Sequence, residues 1–428
     1  MRTINALLLL LLLLPTAACA QPMSVRLEQT DNGWRLLRNG EPYFIKGAGG
    51  NREQDLDMLA SIGANSIRTW GHGELEPTRQ RDGSVRSILD VAHEKGLTVC
   101  AGFWAAHPEH GYDYTDPVFL ERQREELRAF VRKWKHHPAI LVWGVGNELA
   151  LTVDPRVVFP EVNILAQIVK EEDPTRPIMH VVSGTWADKP RLFDELCPDV
   201  DIYGVNSYAG IVALREDFEK FGFTRPYVVT EYGPRGHWES GKTDWDAPIE
   251  QTSGEKADHY QLSYERGILD NPSQCLGGYV FLWGWKQERT ETWYGMFTKQ
   301  GLAMEVVDVM QRMWGGTPRA NQAPMLQSFR CSALSETIAP GTTVSTSVRV
   351  EDPDGDDLSY TWVLKLESTD RRLGGVEEDE PKTIRTVEGG PRFRMQAPND
   401  PGNYRLFVFV EDGQGNVATA NAPFRVNE

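Results

Sequence analysis

From about residue 42 to residue 316 the chain repeats one pattern: a short apolar run rich in β-branched and aromatic residues, then a longer stretch whose apolar positions recur every three to four residues. The first spacing fits a strand and the second one face of a helix. The strand-like runs are Tyr43 to Lys46, Ser66 to Trp70, Thr98 to Trp104, Ile140 to Val145, Ile178 to Val182, Ile202 to Tyr208, Tyr227 to Tyr232 and Tyr279 to Trp285. Helical patterns between them include Asp55 to Ile62, Val85 to Lys95, Pro117 to Lys135 and Glu161 to Glu172. Gly63, Gly96 and Gly222 fall just past helical stretches, where a left-handed C-cap favours glycine. Strands that alternate with helices pair in parallel, and eight such units predict an α/β fold closed into a (β/α)8 barrel.

The pattern changes on both sides of the barrel. Upstream, "VRLEQTDNGWRLLRNGEPYFIKG" reads as a hairpin with Asn39-Gly40 as a turn. Downstream, a last helix from Ala303 to Trp314 runs into Gly315-Gly316-Thr317-Pro318, and "RANQAPMLQ" has the composition of a linker. The segments "TTVSTSVRV", "LSYTWVLKL" and "NYRLFVFVED" then alternate with period two between Asp/Gly/Pro turns, predicting a small all-β sandwich. The expected division is a leader at 1–20, the barrel with its hairpin at 21–316, a linker at 317–326 and the sandwich at 327–428.

The leader carries Arg2, an apolar run from Ala6 to Leu14 and then small residues, which predicts export to the periplasm, cell surface or medium. The run is shorter than the roughly 20 apolar residues that span a bilayer, and no later stretch qualifies, so no transmembrane helix is expected in the mature protein. Ala18-Cys19-Ala20 suits cleavage before Gln21, while Thr16-Ala17-Ala18-Cys19 resembles a bacterial lipoprotein box with Thr16 in place of the usual Leu. A lipid anchor at Cys19 therefore stands as the alternative to full release. Cys100, Cys197, Cys275 and Cys331 lack zinc-site spacing. Export permits disulfides, but Cys100, inside an apolar strand, reads as a buried thiol.

Charge narrows the partners. Lys plus Arg total 45 against 61 Asp plus Glu, giving −16, with no basic block, so a nucleic-acid partner is excluded. The 13 Trp supply flat apolar faces that suit sugar stacking, a use that competes with core packing.

Barrels of this kind hold their reacting groups at the C-terminal ends of the strands. Strand four ends "ILVWGVGNE", placing Asn147 and Glu148 just past an apolar run, and strand seven ends "PYVVTEYG", placing Glu231 likewise. One strand-end Glu is an ordinary surface feature; two that open onto one barrel mouth are the pair glycoside cleavage needs. One carboxyl protonates the departing oxygen while the other meets the developing positive charge, and in a retaining enzyme they stand about 5 to 5.5 Å apart. Two carboxyls supply acid, base and nucleophile, so no metal or organic cofactor is expected.

The segments "ANSIRTWG", "HHPAILVWGVGNE", "EEDPTRPIM", "VDIYGVNSY", "PYVVTEYG" and "FLWGW" resemble the barrel of clan A glycoside hydrolases, family 2 before family 5, over about residues 33 to 316. The resemblance implies that Glu148 is the acid/base and Glu231 the nucleophile. It further implies that Asn147 bonds the sugar 2-hydroxyl, that Arg68 and Tyr208 orient the nucleophile, and that Trp283 floors the −1 subsite. An ion pair at the rim (Arg68) and simple packing (Tyr208, Trp283) compete with these roles. Trp104 and His107, on strand three and its loop, join the candidate substrate contacts. The chain departs from family 2 in having few residues before the barrel, where members usually carry two β-sandwich domains, and in having no His near Asn51, in "KGAGGNRE". The segment "KQERTETWYGMF", with Glu288, Glu291, Trp293 and Tyr294, reads either as the wall of an extended subsite or as a surface loop.

The C-terminal segment resembles immunoglobulin-like, cadherin-like or polycystic-kidney-disease-type modules through "EDPDGDDLSYTW" and "VEDGQGNVATA". Asp352, Asp354 and Asp356 offer oxygens to Ca2+, but a hydrogen-bonded Asp/Gly turn explains them as well. The expected activity is retaining hydrolysis of a β-linked glucan, mannan or related oligo- or polysaccharide. The alternatives are transglycosylation through the same glycosyl-enzyme and a carbohydrate-binding barrel without activity.

Overall fold

The computed structural model describes residues 23–50, 55–79, 83–372 and 376–427; the leader, Cys19 and Asn51 lie outside them. Eight strands close into a barrel: Ile45–Gly49, Ser66–Arg68, Thr98–Phe103, Ile140–Asn147, Ile178–Ser183, Ile202–Asn206, Tyr227–Tyr232 and Cys275–Phe281. Every neighbouring pair is parallel, and the eighth strand pairs with the first. Every residue of the third, fifth, sixth and seventh strands is buried, as expected where helices cover one face and the barrel interior the other.

Helices follow the predicted pattern, with Leu56–Ser61, Ile88–Glu94, Pro117–Trp134 and Pro155–Glu172 between successive strands. Gly63, Gly96 and Gly222 all have positive φ at or just beyond helix ends. The fourth of these helices starts six residues before the predicted Glu161, because the Asp154 carboxylate caps it and Pro155 occupies the first turn; Pro160 had masked the pattern. The stretch from Val85 to Lys95 splits, with Ser87 capping a helix from Ile88 and Val85–Arg86 pairing with Thr78–Arg79.

Among the strands, the two largest boundary differences fall where glycines stand in the strand. The first strand extends through Gly47 and Gly49, and the eighth begins at Cys275 rather than Tyr279 and ends at Phe281 rather than Trp285. Where the two strands meet, a Cβ on Gly47 would lie 2.2 Å from the Tyr279 ring, and one on Gly277, at φ 117°, would lie 2.1 Å from the Ile45 carbonyl oxygen. Gly47 makes room for a ring and Gly277 for a backbone, and neither marks a turn.

The hairpin, Val25–Thr30 against Gly33–Arg38, turns at Asn39-Gly40 into Glu41–Pro42. It closes the barrel end opposite the C-terminal ends of the strands. Met23, Val25 and Leu36 share a core with Ile45, Val142, Met179 and Leu276, and the Trp34 backbone N–H donates to Ser273 at 2.8 Å.

After the helix Glu305–Trp314 the chain builds a three-stranded and a five-stranded sheet over one core, including Val344, Val348, Trp362, Val408 and Phe424. The connecting stretch is docked: Arg319 pairs with Asp308 at 3.0 Å, and the Ala323 N–H donates to the same carboxylate at 2.8 Å. Asp352 accepts from the backbone N–H groups of Asp354 and Asp356, both at 3.0 Å, which is the turn geometry expected of an Asp/Gly loop. Cys100, Cys197, Cys275 and Cys331 are free thiols, and burial pushes Cys100 up to about 12. Among the described residues no helix is long and apolar enough to cross a membrane.

Replacing Gly277 by Ala is expected to destabilise the protein by about 3 kcal/mol or more, since it combines a positive φ with a backbone clash. Chemical denaturation of the two proteins checks this; a loss under about 1 kcal/mol would mean that strands one and eight do not need their close contact.

Candidate active site

At the C-terminal mouth of the barrel the strand ends deliver their side chains into one cavity of about 1690 Å3, lined by Asn147, Glu148, Tyr208 and Glu231 among others. Glu148 sits at φ 54°, an uncommon conformation for a non-glycine residue, and its N–H is held by the Val181 carbonyl at 2.8 Å. Preceded by Gly146 at φ 72°, this kink ends the fourth strand and turns the carboxyl into the cavity.

Glu231 is fixed by three donors. Arg68 Nη1 donates to its Oε1 at 2.9 Å, Trp70 Nε1 to the same oxygen at 2.8 Å and the Tyr208 hydroxyl to Oε2 at 2.9 Å. Arg68 is almost fully buried; its Nη1 also donates to the Thr230 carbonyl, and its Nη2 donates to Asn147 Oδ1 at 2.7 Å. Burial and the neighbouring Glu231 charge hold the Tyr208 hydroxyl far above the usual tyrosine range, so it remains a donor.

Glu148 has a different environment. Its Oε1 accepts from Asn206 Nδ2 at 2.9 Å, and its pKa is raised to about 7, first by burial and then by the charge on Glu231. Arg68 and Lys189 oppose the rise. Asn206 also donates to Asn147 Oδ1 at 3.2 Å and accepts from the Thr230 hydroxyl at 2.7 Å, so one amide links the two carboxyls' supports and fixes the Asn147 amide. The site thus holds a carboxyl paired with a guanidinium beside one whose proton is held up to about neutrality, the unequal pair that acid/base and nucleophilic work require.

Of the predicted contacts, Arg68, Asn147 and Tyr208 are brought together around Glu231. Trp104 and His107 stack at 4.9 Å and line the cavity, with His107 Nδ1 3.2 Å from Glu109; burial pulls the His107 pKa down. Trp283 is a correction. It is 1 % exposed, packs edge-on to Phe297 at 4.8 Å and does not line the cavity. Because the eighth strand ends at Phe281, that residue faces the cavity, 5.8 Å from Trp70 and 5.6 Å from Tyr294. In the following segment Glu288 and Tyr294 line the cavity, whereas Trp293 is buried and Glu291 pairs with Lys365.

Trp70, Asn206, Phe281 and Lys189 were missed in the sequence. The first three stand at or just beyond strand ends, so inspecting all eight ends for any polar or aromatic residue would have found them. Lys189 gave no signal. It is buried, donates to the Ser183 carbonyl and hydroxyl, both at 2.8 Å, and lies 3.3 Å from the Trp186 ring; burial pulls it down to about 7. Trp186 and Trp238 are 51 % and 56 % exposed and both line the cavity, offering open aromatic faces.

A family model described as "Glycosyl hydrolases family 2, TIM barrel domain" matches residues 50–264, half of the chain. The chain is 24 % identical over 324 residues to a β-glucuronidase of Paenibacillus borealis, covering 66 % of this chain and 51 % of that protein. It is 23 % identical over 229 residues to the β-glucuronidase of Homo sapiens, covering 46 % and 32 %. It therefore spans about half or less of the length of the curated relatives it matches. Among solved structures, a β-D-glucuronidase from Dictyoglomus thermophilum aligns with a TM-score of 0.52 at 22 % identity, covering 69 % of this chain and 54 % of that one. A Bifidobacterium dentium β-glucuronidase complexed with coumarin-3-O-glucuronide aligns with a TM-score of 0.53 at 20 % identity, covering 69 % and 49 %. These likenesses show the shared fold.

If the charge of Glu231 contributes to the elevated pKa of Glu148, Glu231→Gln lowers that pKa from about 7 toward the ordinary glutamate range. Carbon-13 NMR titration of the Glu148 carboxyl measures it, and an unchanged value would show that burial alone sets the proton affinity.

Proposed function

The chain belongs to glycosyl hydrolase family 2, and we propose that it is a retaining β-glycosidase acting on a neutral β-linked oligo- or polysaccharide, a glucan or mannan. The observation that carries the reading is the unequal environment of two carboxyls in one cleft: Glu231 paired with Arg68, and Glu148 raised to about 7. In the first step protonated Glu148 gives its proton to the glycosidic oxygen as Glu231 attacks the anomeric carbon, forming a glycosyl ester and releasing the aglycone. Esterification removes the Glu231 charge, the Glu148 pKa falls, and Glu148 takes a proton from water as that water attacks the same carbon. Free Glu231 and a product of retained configuration result. Transfer to a sugar hydroxyl differs only in what attacks the ester. The intact network around Glu231 argues against an inactive binding barrel.

The choice of substrate rests on the cleft. Its volume exceeds the roughly 300 to 1,000 Å3 of ordinary small-molecule pockets, and its open Trp faces suit stacked pyranose rings. A glucuronide, suggested by the names of the relatives, needs a cation for its carboxylate. Five cations line the described cleft: Lys286 paired with Glu288, Arg289 with Glu378, Arg372 with Asp370 and Asp379, and Lys220 and Arg371; nine carboxyl side chains line it too, Glu74, Glu109, Asp217 and Glu239 among them. That balance favours an uncharged sugar. The leader supports export, which would bring the cleft to extracellular glycans.

Glu231→Ala is expected to reduce kcat by on the order of 10^4-fold, with azide restoring part of the turnover and giving a product of inverted configuration. Wild-type activity in that variant would reject the assignment. On the unmodified enzyme, kcat/KM for a β-glycoside with a poor leaving group should fall as pH rises through about 7, where Glu148 loses the proton it must donate. A profile flat to pH 9 would remove Glu148 from the acid role. A panel of β-glucosides, β-mannosides and β-glucuronides decides the sugar, and preference for the glucuronide would overturn the neutral-substrate reading.

A further inference from the structure

Two cleft-lining loops, after the seventh and eighth barrel strands, are held from outside the barrel by the C-terminal sheets. Buried Arg405, paired with Glu367 at 2.8 Å, donates through Nη2 to the Pro248 carbonyl at 2.8 Å. Asn421 donates to Glu250 at 2.6 Å, and the Arg425 guanidinium lies 4.8 Å from the Trp245 ring. On the other loop, Glu378 accepts from the Arg289 N–H at 2.6 Å and from its guanidinium at 2.7 Å, while its own N–H donates to the Gln287 carbonyl at 3.1 Å. Lys365 pairs with Glu291 at 2.7 Å. The loops are also tied to each other, His237 to Glu288 at 3.3 Å and the His237 N–H to the Tyr294 hydroxyl at 3.2 Å.

The Glu378 and Arg289 side chains are 1 % and 11 % exposed, so separating them would leave a buried charge without its partner, a costly change that makes the clamp rigid. Arg371 and Arg372, which follow the strand Ser359–Leu366, are exposed and line the same cavity as Glu148 and Glu231. Arg371 is ordered in advance by bonds to the Ser368 and Asp370 carbonyls, at 2.9 and 2.7 Å, and Arg372 by Asp379 at 2.6 Å. All three Arg372 nitrogens already meet Asp370, Glu377 and Asp379, leaving one N–H on each terminal nitrogen, whereas Arg371 is held through Nη1 alone, so Arg371 offers the fuller fork of donors to sugar hydroxyls and ring oxygens.

We propose that the C-terminal sandwich is one wall of the glycan cleft: it fixes the loops after strands seven and eight and presents Arg371 and Arg372 as a distal subsite for β-linked chains long enough to reach them. The inference rests on the reading of the cleft as a glycan site. On this proposal a chain long enough to span both the carboxyls and the arginines binds more tightly than a disaccharide.

The test is calorimetric binding of β-1,3- and β-1,4-linked gluco-oligosaccharides and β-1,4-linked manno-oligosaccharides of two and six units to the full chain carrying Glu148→Gln, with and without Arg371→Ala plus Arg372→Ala. The double replacement should weaken the six-unit ligand by about tenfold, the size of one or two lost charge-assisted hydrogen bonds, and the two-unit ligand by less than about twofold. Equal losses on both lengths, no loss on the longer one, or no binding of any member would overturn the proposal. Because both arginines are exposed, the variant is expected to fold. Glu378→Gln, which loosens the clamp, should repeat the length-dependent loss, with circular dichroism confirming its fold. Turnover by the unmodified chain is measured separately: binding of six units without cleavage would sink the hydrolase reading while leaving the wall to the arginine comparison.

Discussion

The site depends on one buried cation. Arg68 stands on the short second strand, is 2 % exposed, and spends its guanidinium on the Glu231 carboxylate, the Thr230 carbonyl and the Asn147 side chain. A buried guanidinium is tolerable only if it is paired and its donors are met. The barrel satisfies that demand by bringing strands two, four and seven to a common point, and in doing so it brings together the elements that carry the two carboxyls. The charge that Arg68 fixes on Glu231 then acts on Glu148, whose burial has already made ionisation costly. Pairing at one carboxyl and desolvation at the other give two chemically identical side chains the unequal environments on which the proposed nucleophile and acid roles rest.

Legibility followed the physics of each element. Eight strand-and-helix units were readable because a parallel strand buried on both faces is nearly all apolar and its helices keep a 3.6 period. Glu148 and Glu231 were readable because an acid following such a run is conspicuous. The glycine-rich ends of strands one and eight were misplaced: sequence does not distinguish a glycine that permits a turn from Gly47 or Gly277, which permit close packing. Trp283, which the family resemblance places in the cleft, is core, and Phe281 at the true end of the eighth strand lines the cleft. Lys189 and Asn206 act through contacts between segments far apart in the chain, which local patterns do not record.

The stretch after the barrel shows the same limit on a larger scale. Its Gly, Pro and polar composition resembles a flexible linker, yet Asp308 receives both Arg319 and the Ala323 N–H and holds it against the last barrel helix. The sandwich continues that docking through Arg405 and Asn421 to the loop after strand seven, and through Glu378 to the loop after strand eight. Barrel and sandwich are coupled through the loops that line the cleft, and residues of both line it.

The most direct test of the account is to trap its covalent intermediate. Incubation with 2-deoxy-2-fluoro β-glycosyl fluorides of glucose and mannose slows the second step more than the first, and peptide mass spectrometry locates the sugar. The account predicts a single glycosyl ester on Glu231, with Glu148 unmodified. Inactivation with the label on any other residue, or steady turnover to a product of inverted configuration, would contradict it.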